Sequence, residues 1–389
     1  MRNALLILTI FFLLFSCGEI ETQKLHVEEG KIYKSFKFEK LLEFNRQYEK
    51  PLIFSRGIFS CEVLDKSWKE VALKFYDFSG KLMIERKMNT GQGPNELQVF
   101  SSEESWESSS GKIFFIDHGY LKSINPENMI IETMTMLSNS IVGYGSRYSI
   151  GQHTFPTIEE KDNRVITTFE SAGFFENRIY YIVSFEGLFQ NFKVLAKAKL
   201  GPSTQLDAKK KEFPVDYYRA LKDYRILTVD WKRSFIYYVP DIEKPEIERI
   251  DFTGARHKKY LIDIDFKKYR IERDEFELYY EYVLSETDPS LRDIMKNVLR
   301  IPPHPPALAG LKVIGDRLLI ITGNRNWEKK ENEVLVYDLP SLNYEGRCFI
   351  PYPNLFRIIW KDNYFMVKKL IKTEDDYFFP VEIYRMEEE

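Results

Sequence analysis

Short apolar-rich runs bounded by turn residues recur from about residue 58 to residue 385. Such turn-punctuated runs, rich in β-branched and aromatic residues, predict strands. Ile58 to Leu64, Glu70 to Tyr76 and Leu82 to Met88 form one three-strand meander, with Asp77-Phe78-Ser79-Gly80 as the turn between the second and third. The unit returns over Lys112 to Asp117, Leu121 to Asn125 and Met129 to Met136, and again over Arg164 to Phe169, Arg178 to Phe185 and Phe192 to Ala198. A fourth covers Ile226 to Asp230, Ser234 to Val239 and Glu246 to Phe252. The fifth runs Leu311 to Ile314, Arg317 to Thr322 and Glu333 to Tyr337, with Gly346 to Ile350 as an outer strand. The sixth runs Leu355 to Trp360, Tyr364 to Lys369 and Val381 to Arg385. Six returns of one meander predict an all-β fold, a six-bladed β-propeller, which leaves only short sheet edges exposed. An early strand over Lys34 to Phe38 is placed to complete the last blade and lock the ring. A β-sandwich or a two-sheet barrel is the competing fold.

One stretch departs from this pattern. Phe276, Tyr279, Tyr280, Val283 and Leu284 fall at helical spacing, and Leu291, Ile294, Met295, Val298 and Leu299 repeat it. Asp288-Pro289 between them is a cap followed by a first-turn proline. A helical hairpin inserted at 273–300 is therefore expected to lie across one face of the disc, covering core or presenting a docking surface.

The amino terminus is patterned differently. Arg2 precedes an uncharged run from Ala4 to Phe15, followed by Ser16 and Cys17. The run is too short to span a bilayer, which needs about 20 residues, and it has the layout of an export signal. Leu14-Phe15-Ser16-Cys17 resembles the lipobox of bacterial lipoproteins, with Phe15 a departure. The resemblance implies cleavage after residue 16 and lipid on Cys17. Residues 1–16 are then the signal peptide, 17–30 a lipidated tether and 31–389 the propeller domain. Gly18 rather than aspartate follows the cysteine, which points to an outer-membrane lipoprotein of the cell envelope, facing the periplasm or the cell surface.

Charge narrows the partners. The chain carries 56 basic and 59 acidic residues, a net charge of −3, without a large basic face. Nucleic acid is excluded as an expected partner. The three cysteines are Cys17, Cys61 and Cys348. In an oxidising compartment Cys61 and Cys348 either form a disulfide between the first and last regions of the ring or remain two buried thiols.

Thr90-Gly91-Gln92-Gly93-Pro94-Asn95-Glu96-Leu97 directly follows the third strand of the first meander. Gly91, Gly93, Pro94 and Glu96 read as a tight inter-blade turn in which Glu96 accepts backbone N–H groups. The segment resembles the Gly-x-Gly-Pro-x-Glu signature of the six-bladed β-propeller lipoproteins of unknown function. The lipidated start, Lys112 to Asp117 and the helical insertion are similar to that group too. The resemblance implies an exported propeller and carries over no catalytic residue.

Candidate chemistry is sparse. No Gly-x-Ser-x-Gly, Walker or His-Glu-x-x-His motif occurs, and the five histidines show no i, i+4 pair. Asp117, His118 and Trp327 are candidates for a site on one face, His118 because it stands at a strand end. Asp263 and Asp265 read as one face of a strand with oxygen ligands suited to calcium, the only cofactor considered. Trp106, Tyr217-Tyr218, Tyr237-Tyr238 and Tyr279-Tyr280 read mainly as packing between blades. The expected function is a binding module for a protein or glycan. A lyase or hydrolase working at the channel mouth and a scaffold subunit of an envelope complex are the alternatives.

Overall fold

The computed structural model describes Ile20 to Glu388 except for several segments, the longest being 137–157, 171–178, 200–225 and 294–304. The chain begins with β1 (Glu21–Leu25) and β2 (Phe36–Phe44), which join blades made much later. The first blade is β3 (Glu49–Phe54), β4 (Gly57–Val63), β5 (Glu70–Tyr76) and β6 (Leu82–Asn89). The second is β7 (Ser105–Glu107), β8 (Ile113–Asp117), β9 (Tyr120–Asn125) and β10 (Ile130–Met136). The third is β11 (Ile158–Lys161), β12 (Arg164–Glu170), β13 (Ile179–Glu186) and β14 (Gln190–Lys199). The fourth is β15 (Leu227–Asp230), β16 (Phe235–Tyr238), β17 (Glu246–Asp251) and β18 (His257–Ile262), and the fifth β19 (Leu308–Ile314), β20 (Arg317–Asn326), β21 (Glu331–Asp338) and β22 (Tyr344–Pro351). The sixth contains β23 (Ile358–Lys361) and β24 (Tyr364–Lys368), a small hairpin of β25 (Ile371–Lys372) and β26 (Tyr377–Phe378), and β27 (Val381–Glu388). The molecule is a six-bladed β-propeller.

The strands pair in antiparallel order within each blade, and the first strand of each blade lies innermost. Central strands are buried along most of their length: β20 hides Leu318 to Gly323, and β21 hides Asn332 to Tyr337. The cause is packing on both sheet faces against neighbouring blades, which removes the one-sided alternation of a solvated sheet. Apolar clusters fill the interfaces between blades. Phe54, Phe59 and Phe115 join blades one and two, and Trp106, Phe114, Val183 and Phe185 join two and three. Ile182, Tyr237, Tyr238, Ile320 and Tyr337 belong to one large cluster across blades three, four and five. Leu319, Val334, Trp360 and Phe365 join five and six. Phe44, Ile53, Ile58 and Ile383 close the ring between six and one.

Closure depends on the amino terminus. β2 is the outermost strand of the sixth blade, pairing with β27 from Phe36↔Glu388 to Phe44↔Val381. The strand expected at Lys34 to Phe38 is thus present, longer and displaced by two residues. β1 adds a fifth strand to the fourth blade, parallel to β18. Between them Ile32 bridges Arg347 on the rim of the fifth blade, with Tyr33 N–H donating to the Arg347 carbonyl at 2.7 Å. There Gly346 leaves room that a side chain would take, because a Cβ would stand 2.7 Å from the Tyr33 nitrogen. Residues 21–44 therefore form a belt over the rims of three consecutive blades. The stretch expected as a tether up to residue 30 contains β1, so the folded part starts earlier than the pattern implied.

Helix α1 (Arg273–Glu286) occupies the predicted insertion between blades four and five. Most of the second expected helix lies outside the described residues; Pro289, Arg292 and Asp293, which are described, are helical. Glu281 on α1 is 2.7 Å from Lys372 of the β25–β26 hairpin, and Tyr282 packs edge-on against Tyr377 and Phe379. α1 thus reaches from its insertion point to the sixth blade.

Candidate functional site

The innermost strands run in one direction, so their carboxyl ends and the turns after them gather on one face around the axis. Three such ends meet. Glu107 ends β7, Ser55 follows β3, and Lys361 ends β23. The Glu107 carboxylate accepts from the Ser55 backbone N–H at 2.8 Å and from the Ser55 hydroxyl, and the Lys361 ammonium lies 2.9 Å away. Blades two and six are not neighbours, so this pair reaches past blade one at the channel mouth. Burial pushes the Glu107 carboxyl up, but the Ser55 hydrogen bonds and Lys361 outweigh it and hold it below the usual value. Glu107 is therefore an anion at neutral pH.

Ion pairs continue around the same face. Arg56, beside Ser55, is 2.6 Å from Glu127 in the β9–β10 turn of the second blade. Arg233 contacts buried Asp230 at 3.1 Å and also pairs with Asp316 of the fifth blade, which Lys232 approaches to 2.8 Å. Hydrogen bonds from Lys232 and Arg233 hold the Asp316 carboxyl low. Arg317 joins Glu345 at 2.8 Å and Glu388 of the sixth blade at 2.6 Å. The polar side chains of this face mostly satisfy one another across blade boundaries.

The predicted motif lies on the other face, where outer strands lead into the next blade. Gly93 N–H donates to Glu96 Oε2 at 2.7 Å, and Gly91 N–H donates to the Leu97 carbonyl at 3.1 Å. Pro94 lies outside the described residues. A Cβ on Gly91 would stand 2.0 Å from Glu96 Oε2, and one on Gly93 2.8 Å from it. Both glycines are needed because the carboxylate folds back over the turn. Lys122 reaches this loop from the second blade: its Nζ donates to the Glu96 carbonyl at 2.7 Å and to Asp117 Oδ2 at 2.8 Å. Both side chains of that pair are buried, at 4% and 2% exposure. Asp117 is thus buried and paired with the lysine that holds the motif turn. His118 and Trp327 lie outside the described residues.

The other candidates resolve individually. Cys61 and Cys348 are not bridged. Cys61 is on β4 of the first blade and Cys348 on β22 of the fifth, each in a different core cluster, and the whole sixth blade stands between them. Asp263 and Asp265 follow β18 in irregular backbone and do not share a strand face; Asp263 is 3.6 Å from Lys24. Among the described residues no group of three or more His, Cys, Asp or Glu side chains converges as metal ligands would. Trp106, Tyr237 and Tyr238 are buried packing residues, as expected. Tyr238 also donates to Glu248, whose Oε2 is 2.6 Å from His257 Nε2. Burial and the Glu248 charge drive the Tyr238 phenol far up, so it stays a neutral donor. Cys17 and the signal segment lie outside the described residues, and no described helix is long and apolar enough to cross a membrane.

The sequence pattern missed Ser55, Glu107 and Lys361. β7 is three residues long within a serine-rich stretch and offers no periodicity.

No protein-family model and no curated protein sequence matches the chain. Solved structures resemble it at low identity. A member of the DUF4221 family from Bacteroides vulgatus shares 11% identity, covering 91% of this chain and 99% of its own, with a TM-score of 0.45. A putative 6-phosphogluconolactonase from Bacteroides uniformis shares 9% identity over 86% of this chain and 81% of its own, with a TM-score of 0.39. The extracellular domain of a putative one-component system from B. thetaiotaomicron shares 9% identity over 94% of this chain and 38% of its own, with a TM-score of 0.35.

Proposed function

We propose that the chain is an exported β-propeller, lipid-anchored through Cys17, that binds a protein or glycan at the cell envelope. The observation that carries this reading is the bridged channel mouth, where Glu107, Ser55 and Lys361 are spent on one another across three blades. A general acid or base needs a proton-exchanging group aimed at substrate. Here the Glu107 carboxylate is buried and committed to Ser55 and Lys361. The surrounding ion pairs make a rigid, mixed-charge face suited to polar recognition, with Arg56 and Glu127 at its edge.

The test is a glycan array probed with the purified lipidated protein, followed by titration of each hit against wild type and Arg56→Glu. Saturable binding, weakened about tenfold in the variant and leaving the glycan intact, is expected; tenfold corresponds to about 1.4 kcal/mol. Shortened chains or new unsaturated ends in the recovered glycan would overturn the binding reading in favour of a hydrolase or lyase.

A further inference from the structure

We propose that the protein stands on a lipid surface by the rim of its fourth blade, with both faces of the disc turned away from the bilayer. The inference rests on the lipidation of Cys17 proposed above. Only Gly18, Glu19 and Ile20 separate Cys17 from β1. Covalent geometry limits that span to about 14 Å even when fully extended.

The point of attachment is fixed. All five residues of β1 pair with β18, from Glu21↔Lys258 to Leu25↔Ile262. Lys258 is 2.7 Å from Glu21, the Leu25 carbonyl accepts from the Asp263 N–H at 3.0 Å, and the Leu25 side chain is in the core. The belt beyond β1 is held in turn by the fifth and sixth blades, so the anchor cannot swing to another part of the rim.

The chemistry of this edge suits the headgroup layer. Ile20 and Leu261 are exposed apolar side chains, and Lys24 and Arg256 are exposed cations, Arg256 at 82% in the β17–β18 turn. Apolar tips beside cations match a surface that is greasy below and anionic above. Among the described residues the acids of the edge are Glu21, paired to Lys258, Asp263, paired to Lys24, and Asp251, 3.8 Å from Arg256. The face around the channel mouth presents Glu127, Glu186 and Asp316 paired to Arg56, Arg164 and Lys232, a mixed-charge surface that gives an anionic headgroup layer no net attraction.

In a six-membered ring the first blade is opposite the fourth. Its outer strand β6 carries exposed Met83. Four strand spacings in the fourth blade and three in the first, at about 4.8 Å each, separate Met83 from the anchor edge by about 34 Å before the width of the channel is added.

The test uses the full lipidated chain in vesicles of phosphatidylethanolamine and phosphatidylglycerol carrying a headgroup energy-transfer acceptor. A donor dye is placed at Arg256→Cys or at Met83→Cys; the buried native thiols leave labelling selective. The mass of the N-terminal peptide reports the lipid on Cys17 in the same sample. Transfer several-fold stronger from position 256 than from position 83 is expected. Equal transfer from a lipidated sample overturns the orientation alone, because the disc then lies flat or tumbles. An unmodified Cys17 overturns both the orientation and the anchoring on which it rests.

Discussion

The carboxylate of Glu96 occupies the space that a side chain on Gly91 would need, with Oε2 standing 2.0 Å from where a Cβ would be. The same oxygen accepts from Gly93 N–H at 2.7 Å. Gly91→Ala should expel the carboxylate and forfeit that charge-assisted bond, a loss of about 1.5–3 kcal/mol. Glu96→Ala should cost a similar amount. In the Glu96→Ala background the Gly91→Ala change should be nearly silent, since the obstacle is gone. Chemical denaturation of the four proteins gives the cycle, and additive losses would show that the glycines serve something other than the glutamate.

Lys122 and Asp117 are hidden from solvent and together fasten the motif turn of one blade to the next. Lys122→Met leaves the Asp117 anion buried without its cation and should cost about 3–5 kcal/mol. Lys122→Met with Asp117→Leu removes both charges and should recover much of that loss, because two buried ions are exchanged for apolar volume. Urea midpoints at constant slope measure both effects. A double variant as unstable as the single one would place the value of Lys122 in its bonds to the loop carbonyls.

What could be read from the chain follows from how each strand packs. β5 is found at the predicted residues, β6 and β9 differ by one residue at an end, and β4 is shifted by one residue, because apolar runs end there at turn chemistry such as Asp77 to Gly80. The inner strands β3, β7 and β11 were not predicted. Glu49-Lys50-Pro51 and Ser105-Trp106-Glu107 carry polar residues or proline, which a strand beside a channel tolerates and a periodicity test does not detect. β18 was missed because its lysines pair with Glu246 and Glu21 on neighbouring strands rather than marking a loop. The motif turn was legible, with the role of Glu96, since glycines and proline announce their own geometry. The channel-mouth pair was not, because Glu107 and Lys361 meet only through ring closure.

Cys348 is buried in the interface of blades five and six, and burial pushes its thiol up to about 12. Reactivity depends on the thiolate. Alkylation of native protein at pH 8 should therefore leave Cys348 unmodified for hours, whereas denatured protein should take the reagent at both Cys61 and Cys348. Intact mass measured without reductant checks the pairing as well. A species lighter by two hydrogens would mean that the two cysteines are bridged, against the position of the sixth blade between them.

Closure by β2 should weaken in acid. Glu382 accepts from Lys369 and Lys40 at 2.6 Å each and from the Tyr384 hydroxyl at 2.8 Å. Burial pushes its carboxyl up, yet these donors outweigh burial and hold it below the ordinary value of 4.5. A carboxyl depressed in the folded state stabilises fully above its unfolded value, and that stabilisation is lost as pH falls through the folded value. Glu43, lowered chiefly by its hydrogen bond from Lys40, acts in the same direction. Amide protection of β2 and β27, corrected for intrinsic exchange, should be flat from about pH 5 to 8 and decline below about 4.5. In Glu382→Gln protection should be lower at neutral pH and decline less in acid. A variant with the wild-type acid slope would assign the dependence to another carboxyl.

The bridge between Glu107 and Lys361 should prove a coupled pair and not two independent surface charges. Glu107 is almost wholly buried, at 5% side-chain exposure, while Lys361 keeps 32%. The burden of an unmatched partner is therefore uneven. Lys361→Met leaves a buried anion with only the Ser55 donors, and because solvent reaches the vacated position the cost should be about 1–3 kcal/mol. Glu107→Gln leaves a partly hydrated ammonium, and the amide oxygen can still accept from Ser55, so it should cost less than about 1 kcal/mol. With Lys361→Met already present, Glu107→Gln should restore stability, since it removes the stranded charge and keeps a hydrogen-bond acceptor. That reversal of sign separates a bridge across the mouth from a chance approach of two side chains. Exchange at the Ser55 amide, which donates to Glu107 at 2.8 Å, should rise in Lys361→Met and fall back in the double variant. A Ser55 amide that exchanges alike in all four proteins would mean that the carboxylate is not held at the mouth, and the rigid face on which the binding proposal rests would go with it.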